Sequence, residues 1–128
     1  MDKYRFFLID DSAFEMLVLE RVLTMSGLAK SVNSFASAED ALHYIKQKEH
    51  ELDDTVILLD LQMPAMNGFE FIEQFAFLSD DIKSKIRIYM LSSTIDSRDI
   101  TAASENKYII ELLSKPINVD RLRVLLAK

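Results

Sequence analysis

Val56-Ile57-Leu58-Leu59-Asp60-Leu61-Gln62-Met63-Pro64-Ala65-Met66-Asn67-Gly68 is the stretch that decides how this chain folds. Four consecutive apolar residues lead to a single acid. Pro64 and Gly68 then mark a turn, and Asn67 is a good cap for a following helix. A short apolar run bounded by turn residues reads as a strand covered on both faces, the kind that parallel sheets contain. A carboxylate at the end of such a strand is unfavourable to bury, so it neutralises, finds a partner or binds a metal. What Asp60 faces is therefore the question that the rest of the chain has to answer.

The same unit recurs on either side. Short apolar runs alternate with stretches of helical period five times, the pattern of a parallel sheet flanked by helices. The strands read as Arg5 to Asp10, Ser31 to Ser34, Thr55 to Asp60, Ile86 to Ser92 and Ile110 to Ser114, and the last three have the apolar character of strands covered on both faces. Helix starts are legible. Ser12-Ala13-Phe14-Glu15 reads as a capping box and Ser37-Ala38-Glu39-Asp40 as its acidic relative, while Asn67, Asp96 and Asn118 cap the remaining three. Gly27 ends the first helix, and the second ends in the polar stretch Gln47 to Asp54. No inter-domain linker interrupts the pattern, so residues 1–128 are expected to form a single domain.

Composition agrees. A chain of 128 residues, 49% hydrophobic and 28% charged, with two glycines and two prolines, is globular and large enough to bury a core. It has no cysteine, which excludes thiol and disulfide chemistry, and two histidines, His43 and His50, which cannot assemble a multi-histidine metal site and read as surface residues. A net charge of -6 argues against direct binding to nucleic acid, and no apolar run reaches the length of a membrane span. The amino terminus does not read as a secretory signal, which makes a cytoplasmic location the expectation.

In open parallel sheets, ligands sit outside the carboxyl ends of the strands. Those ends carry Asp10 and Asp11, Asp60, Ser92 and Ser93, and Lys115 followed by Pro116. Three carboxylates converging on one pocket repel each other, and a hard divalent cation, Mg2+ above all, makes such a cluster tolerable while leaving room for a phosphoryl oxygen. Asp60 stands alone at its strand end and suits a nucleophile, whereas Asp10 and Asp11 suit metal binding. Lys115 and the Ser92 hydroxyl could each meet an oxygen of a phosphoryl group in transfer. Pro116 restricts the chain after Lys115. Aspartyl phosphate is the product expected of this apparatus.

Asp10-Asp11, Asp60 with Met63-Pro64 and Gly68 after it, Ser92, and Lys115-Pro116, in that order at successive strand ends, resemble the receiver domain of two-component response regulators. The resemblance covers about Lys3 to Lys128. It implies a flavodoxin-like α/β fold, (βα)5, doubly wound around a five-stranded parallel sheet of order 2-1-3-4-5. It also implies that Asp60 accepts a phosphoryl group from a histidine kinase or a histidine phosphotransfer protein. Mg2+ would be bound by the Asp11 and Asp60 side chains, by the Gln62 main-chain carbonyl and by Asp10 through water. In the family an aromatic residue three places before the lysine turns inward behind the hydroxyl residue. This chain has Leu112 there, with Tyr108 one turn's worth of sequence earlier. The segment from Ser92 to Lys115 is about one residue longer than in the simplest members and lacks the glycine before the fifth strand, so an atypical output face is expected.

The leading expectation is a stand-alone switch that is not an enzyme on external substrates and signals through contacts with a downstream protein. Two alternatives are a receiver-fold interaction or dimerisation scaffold independent of phosphorylation, and a Mg2+-dependent phosphohydrolase. The latter is disfavoured because Gln62 stands where a general acid is needed. Phe69, Phe71, Ile72, Phe75 and Phe77 read mostly as core. The first helix carries Phe14, Met16, Leu17, Val18, Leu19, Val22 and Leu23, more than one buried stripe requires, and burial and partner docking are both open for it.

Overall fold

A computed structural model describes residues 3–127. β1 (Tyr4–Ile9), β2 (Ala29–Phe35), β3 (Thr55–Asp60), β4 (Ile86–Ser92) and β5 (Ile109–Ser114) form one sheet of order β2-β1-β3-β4-β5. Every neighbouring pair is parallel, as expected from the alternating pattern. Successive side chains of a strand point to opposite faces, and this divides the core in two. Phe7, Ile9, Ile57, Leu59, Ile88 and Met90 face one side. Phe6, Leu8, Val56, Leu58, Tyr89 and Leu91 face the other.

α1 (Ala13–Met25) and α6 (Val119–Leu126) cover the second face through Met16, Leu23, Leu122 and Leu126. α2 (Ala38–Gln47), α3 (Gly68–Phe75), α4 (Asp80–Lys85) and α5 (Ser97–Glu105) cover the first. Among the described residues, five of the six helices begin where the capping residues predict, since Ser12, Ser37, Asn67, Asp96 and Asn118 each accept a backbone N–H of the following turn. α4 is the addition. Ser79 caps it, Asp80 and Asp81 occupy its first turn, and Lys83 and Lys85 its last, so its charges complement the helix dipole. A helix with one buried residue, Ile82, has no apolar period to betray it.

The sheet corrects one expectation. β3 is buried throughout, and β4 nearly so, but β5 is an edge strand whose Ile110 and Ser114 are exposed. Its pairing with β4 skips a residue, because Ile88 faces Ile109 while Tyr89 faces Glu111. Ile110 is thus an extra residue held in a bulge, and Lys30 forms a similar irregularity on the other edge strand, β2. Past the bulge the register is regular to Ser92 opposite Ser114. The polar stretch after α2 is mostly exposed, apart from the buried Leu52. Among the described residues no helix is long and apolar enough to cross a membrane.

Candidate phosphorylation site

Three backbone hydrogen bonds extend the ladders one residue past the strand ends, and they fix the rim. Asp10 N–H donates to the Phe35 carbonyl at 3.1 Å, Leu61 N–H to Leu91 at 2.8 Å and Lys115 N–H to Ser92 at 2.9 Å. The loop after β3 folds back at once, with Gly68 N–H donating to the Leu61 carbonyl at 2.9 Å. A Cβ at Gly68 would lie 3.0 Å from Leu61 Cα and 3.1 Å from the Asp60 carbonyl oxygen, so a side chain here would have to push backbone atoms apart by a few tenths of an ångström. Asn67 and Glu70 complete a reciprocal capping box that anchors the start of α3.

On this rim Asp10, Asp11, Asp60 and Lys115 meet. Asp10, Asp11 and Asp60 each place a carboxylate oxygen within 4.8 Å of the others. Asp60 is only 5% exposed, Asp10 is buried and Asp11 is exposed. The Lys115 ammonium lies 3.0 Å from Asp10 Oδ2 and 3.3 Å from Asp60 Oδ1. Asp10 Oδ1 accepts the Ser12 N–H at 2.9 Å, and Asp60 Oδ1 accepts the Gln62 N–H at 3.3 Å. The Lys115–Pro116 peptide is cis.

The electrostatics are unequal. Burial, then the charge of Asp10, push the Asp60 carboxyl up to about 6, with Lys115 and the Gln62 N–H offsetting part of the rise. Burial works against the Lys115 ammonium, but hydrogen bonds to Asp10 and Glu15 and the charges of Asp60 and Asp10 outweigh it and raise its pKa. One cation shared among several acids leaves the cluster negative. Its donors are all oxygens, and the set fits a hard divalent cation such as Mg2+.

Ser92 is fully buried at the end of β4, where its hydroxyl donates to the Thr94 carbonyl at 2.7 Å and accepts the Thr94 N–H at 3.2 Å. Both hydrogen bonds tie it to the β4–α5 loop. Leu112 is half-buried opposite Met90 on the α5 side of the sheet. Tyr108 is engaged elsewhere. Its ring meets Phe75 edge-on at 5.5 Å between centroids, and its hydroxyl accepts from Lys83 Nζ at 3.3 Å.

Sequence reasoning missed one residue of this site, Glu15, whose Oε1 lies 3.0 Å from Lys115 Nζ. Its place one turn into the helix that follows the acid pair points it at the same rim, a signal hidden by its reading as a capping-box partner. Beside it, Phe14, Val18 and Val22 of α1 and Pro116 and Ile117 line an apolar groove that ends at Lys115. Only Met16 and Leu23 of α1 are buried, whereas Phe14 is 74% and Met25 85% exposed. Of the aromatic residues around α3, Phe71 and Phe75 are core and Phe77 is exposed. His43 and His50 are exposed, as expected.

The chain is similar to known proteins along nearly its whole length. A response regulator receiver protein from Dyadobacter fermentans superposes with a TM-score of 0.91 at 44% sequence identity, covering 96% of this chain and 94% of that one. A protein-glutamate methylesterase/protein-glutamine glutaminase of Bacillus licheniformis is 32% identical over 124 residues, which are 94% of this chain but 32% of that protein. The two-component response regulator ORR1 of Oryza sativa subsp. japonica is 31% identical over 127 residues, 93% of this chain and 53% of the relative. The chain therefore spans only part of the length of these two relatives. The response regulator receiver domain family matches residues 6–127, a span that contains every residue of the rim. By that match, and by its sheet order, this chain belongs to the response regulator receiver domain family.

Proposed function

We propose that the chain is a phosphoacceptor switch in which Asp60 takes a phosphoryl group from a histidine kinase or histidine phosphotransfer protein. The observation that carries this reading is the placement of Lys115 Nζ between Asp10 and Asp60, with Asp11 in the same cluster. An Asp60 carboxylate oxygen forms a bond to phosphorus as the P–N bond of a phosphohistidine breaks. The imidazole leaves with the electron pair, and Asp60 becomes a mixed anhydride. No electron changes hands. Lys115 donates an N–H to one phosphoryl oxygen, and the Ser92 hydroxyl leaves Thr94 to donate to another. Asp11, Asp60 and the Gln62 carbonyl, with Asp10 through water, would hold Mg2+, which supplies positive charge to a phosphoryl oxygen when bound.

The rise of the Asp60 pKa to about 6 leaves the carboxyl mostly ionised at neutral pH and therefore nucleophilic. Phosphodonor proteins would dock on the uncovered face of α1, where Phe14, Leu17, Val18, Val22 and Met25 are exposed beside the groove that leads to Lys115. A downstream protein would read the α5-β5-α6 face, with Leu112 in place of the family's aromatic residue. The protein works in the cytoplasm, where its donors act, and turns over no external substrate.

The test is incubation with acetyl phosphate and Mg2+, with phosphoaspartate mapped by mass spectrometry. Label on Asp60 that is lost in Asp60→Asn and without divalent cation is expected. Undiminished labelling of Asp60→Asn would refute the reading. Phosphotransfer from a panel of histidine kinases then identifies the donor.

A further inference from the structure

The Lys115 ammonium has three N–H bonds and three carboxylates around it: Asp10 at 3.0 Å, Glu15 at 3.0 Å and Asp60 at 3.3 Å. A lysine has no fourth donor. Asp10 accepts a direct hydrogen bond, and Glu15 and Asp60 are ion-pair partners of the same ammonium, so a phosphoryl oxygen that approaches Lys115 competes with these carboxylates for its charge and its donors.

The three are not equally held. Asp10 is fixed from its other side, because its Oδ1 accepts the Ser12 N–H at 2.9 Å, and its side chain is buried. Asp60 is the residue that carries the phosphoryl group. Glu15 is different, with a side chain 51% exposed on the first turn of α1. The Ser12 hydroxyl accepts the Glu15 N–H at 3.2 Å, half of a capping box. The other half, a glutamate carboxylate accepting the N-cap N–H, is made by Glu70 at Asn67 at 3.0 Å. At α1 that N–H is already taken by Asp10. Displaced from its helical partner, the Glu15 carboxylate reaches Lys115 instead, with water as its alternative.

We infer that Glu15 is a positioning residue, a displaceable restraint that pairs with the Lys115 ammonium until a phosphoryl oxygen on Asp60 replaces it. The inference rests on Asp60 being the phosphoacceptor. Asp10 and Asp60 suffice to hold the lysine at the rim, so the Glu15 contact opposes phosphorylation rather than assisting it. Its negative charge lines the groove beside Lys115 and repels an anionic phosphodonor that approaches there.

Removal of that charge speeds phosphorylation. The test compares wild type, Glu15→Gln, Asp60→Asn and Glu20→Gln, the last removing an equal charge further along α1. Labelling by acetyl phosphate with Mg2+ is followed in time, and beryllofluoride affinity is measured as an equilibrium counterpart. Glu15→Gln is expected to label about three- to five-fold faster than wild type, the range of a half-exposed ion pair, and to bind beryllofluoride correspondingly tighter. Glu20→Gln is expected to match wild type. The 15N resonance of the Lys115 ammonium gives a readout independent of phosphorylation, shifting in Glu15→Gln and not in Glu20→Gln. Label on wild-type Asp60 with Glu15→Gln unchanged or slower, an equal gain in Glu20→Gln, or no shift of the Lys115 resonance would each overturn the restraint and leave the phosphoacceptor standing. Absence of label from wild-type Asp60 would overturn both.

Discussion

Asp60 and Lys115 lie 3.3 Å apart, and yet the carboxyl of Asp60 is harder to ionise than a free aspartic acid. Burial and the neighbouring Asp10 outweigh the lysine, whose ammonium is divided among three acids. The site is therefore poised with an unbalanced negative charge, and the predictions below follow from that imbalance and from the loop that creates it.

Neutralising Asp60 stabilises the metal-free protein. A folded-state pKa raised from 3.8 to about 6 means that the folded chain holds this proton more tightly than the unfolded one. The resulting stability is fully present below the unfolded value and is lost as pH rises through about 6. Asp60→Asn escapes that loss and should gain about 1–3 kcal/mol at neutral pH, with the gain vanishing near the unfolded pKa. Urea unfolding in the presence of a chelator, at neutral and at acid pH, checks both size and sign.

Replacing Lys115 has the opposite effect. Lys115→Met leaves Asp10 and Asp60 facing each other without a cation, and a loss of about 2–4 kcal/mol is expected at neutral pH. Because a protonated Asp60 no longer repels Asp10, the loss should shrink as the solution is made mildly acidic. A pH-independent loss in the same unfolding measurement would mean that the lysine contributes through packing alone.

Divalent cations should stabilise the wild type for the reason that Asp60→Asn does. At a Mg2+ concentration ten times the dissociation constant the gain is about 1.4 kcal/mol. Thermal unfolding with and without Mg2+ measures it, and Asp11→Asn should remove most of it. An equal gain in that variant would place the cation elsewhere.

Gly68→Ala forces a methyl group against the Leu61 Cα and the Asp60 carbonyl oxygen, both backbone atoms that cannot swing aside. Overpacking of this kind costs about 1–3 kcal/mol. The strain falls on the loop that aims Asp60, so slower labelling by acetyl phosphate should accompany the lost stability. A variant as stable and as reactive as wild type would show that the loop can shift freely.

The strands that enclose the site were legible because continuous apolar runs such as Val56 to Leu59 have few other uses, and the rim followed because parallel strands deliver their ends to one side. Asp10, Asp11, Asp60 and Lys115 meet as their positions at those ends predict. Less was legible where one residue has two competing partners. Glu15 has the spacing of a capping-box glutamate, and only the hydrogen bond from Ser12 N–H to Asp10 diverts it. The direction of the Ser92 hydroxyl, toward Thr94, depends on a rotamer that no pattern encodes. α4 has caps and charges but no period, and the edge character of β5 depends on strand order, which the apolar composition of that strand does not report.

The bulge at Ile110 separates the length of the connection from the accuracy of the site. The extra residue is taken up at the start of β5, and four residues later Ser92 and Ser114 are again in step, with Lys115 delivered to the rim. The distal end of this edge strand thus works as an expansion joint, a place where the chain can be lengthened or re-sequenced, or fitted with a reporter, while the chemistry at the opposite end stays in alignment.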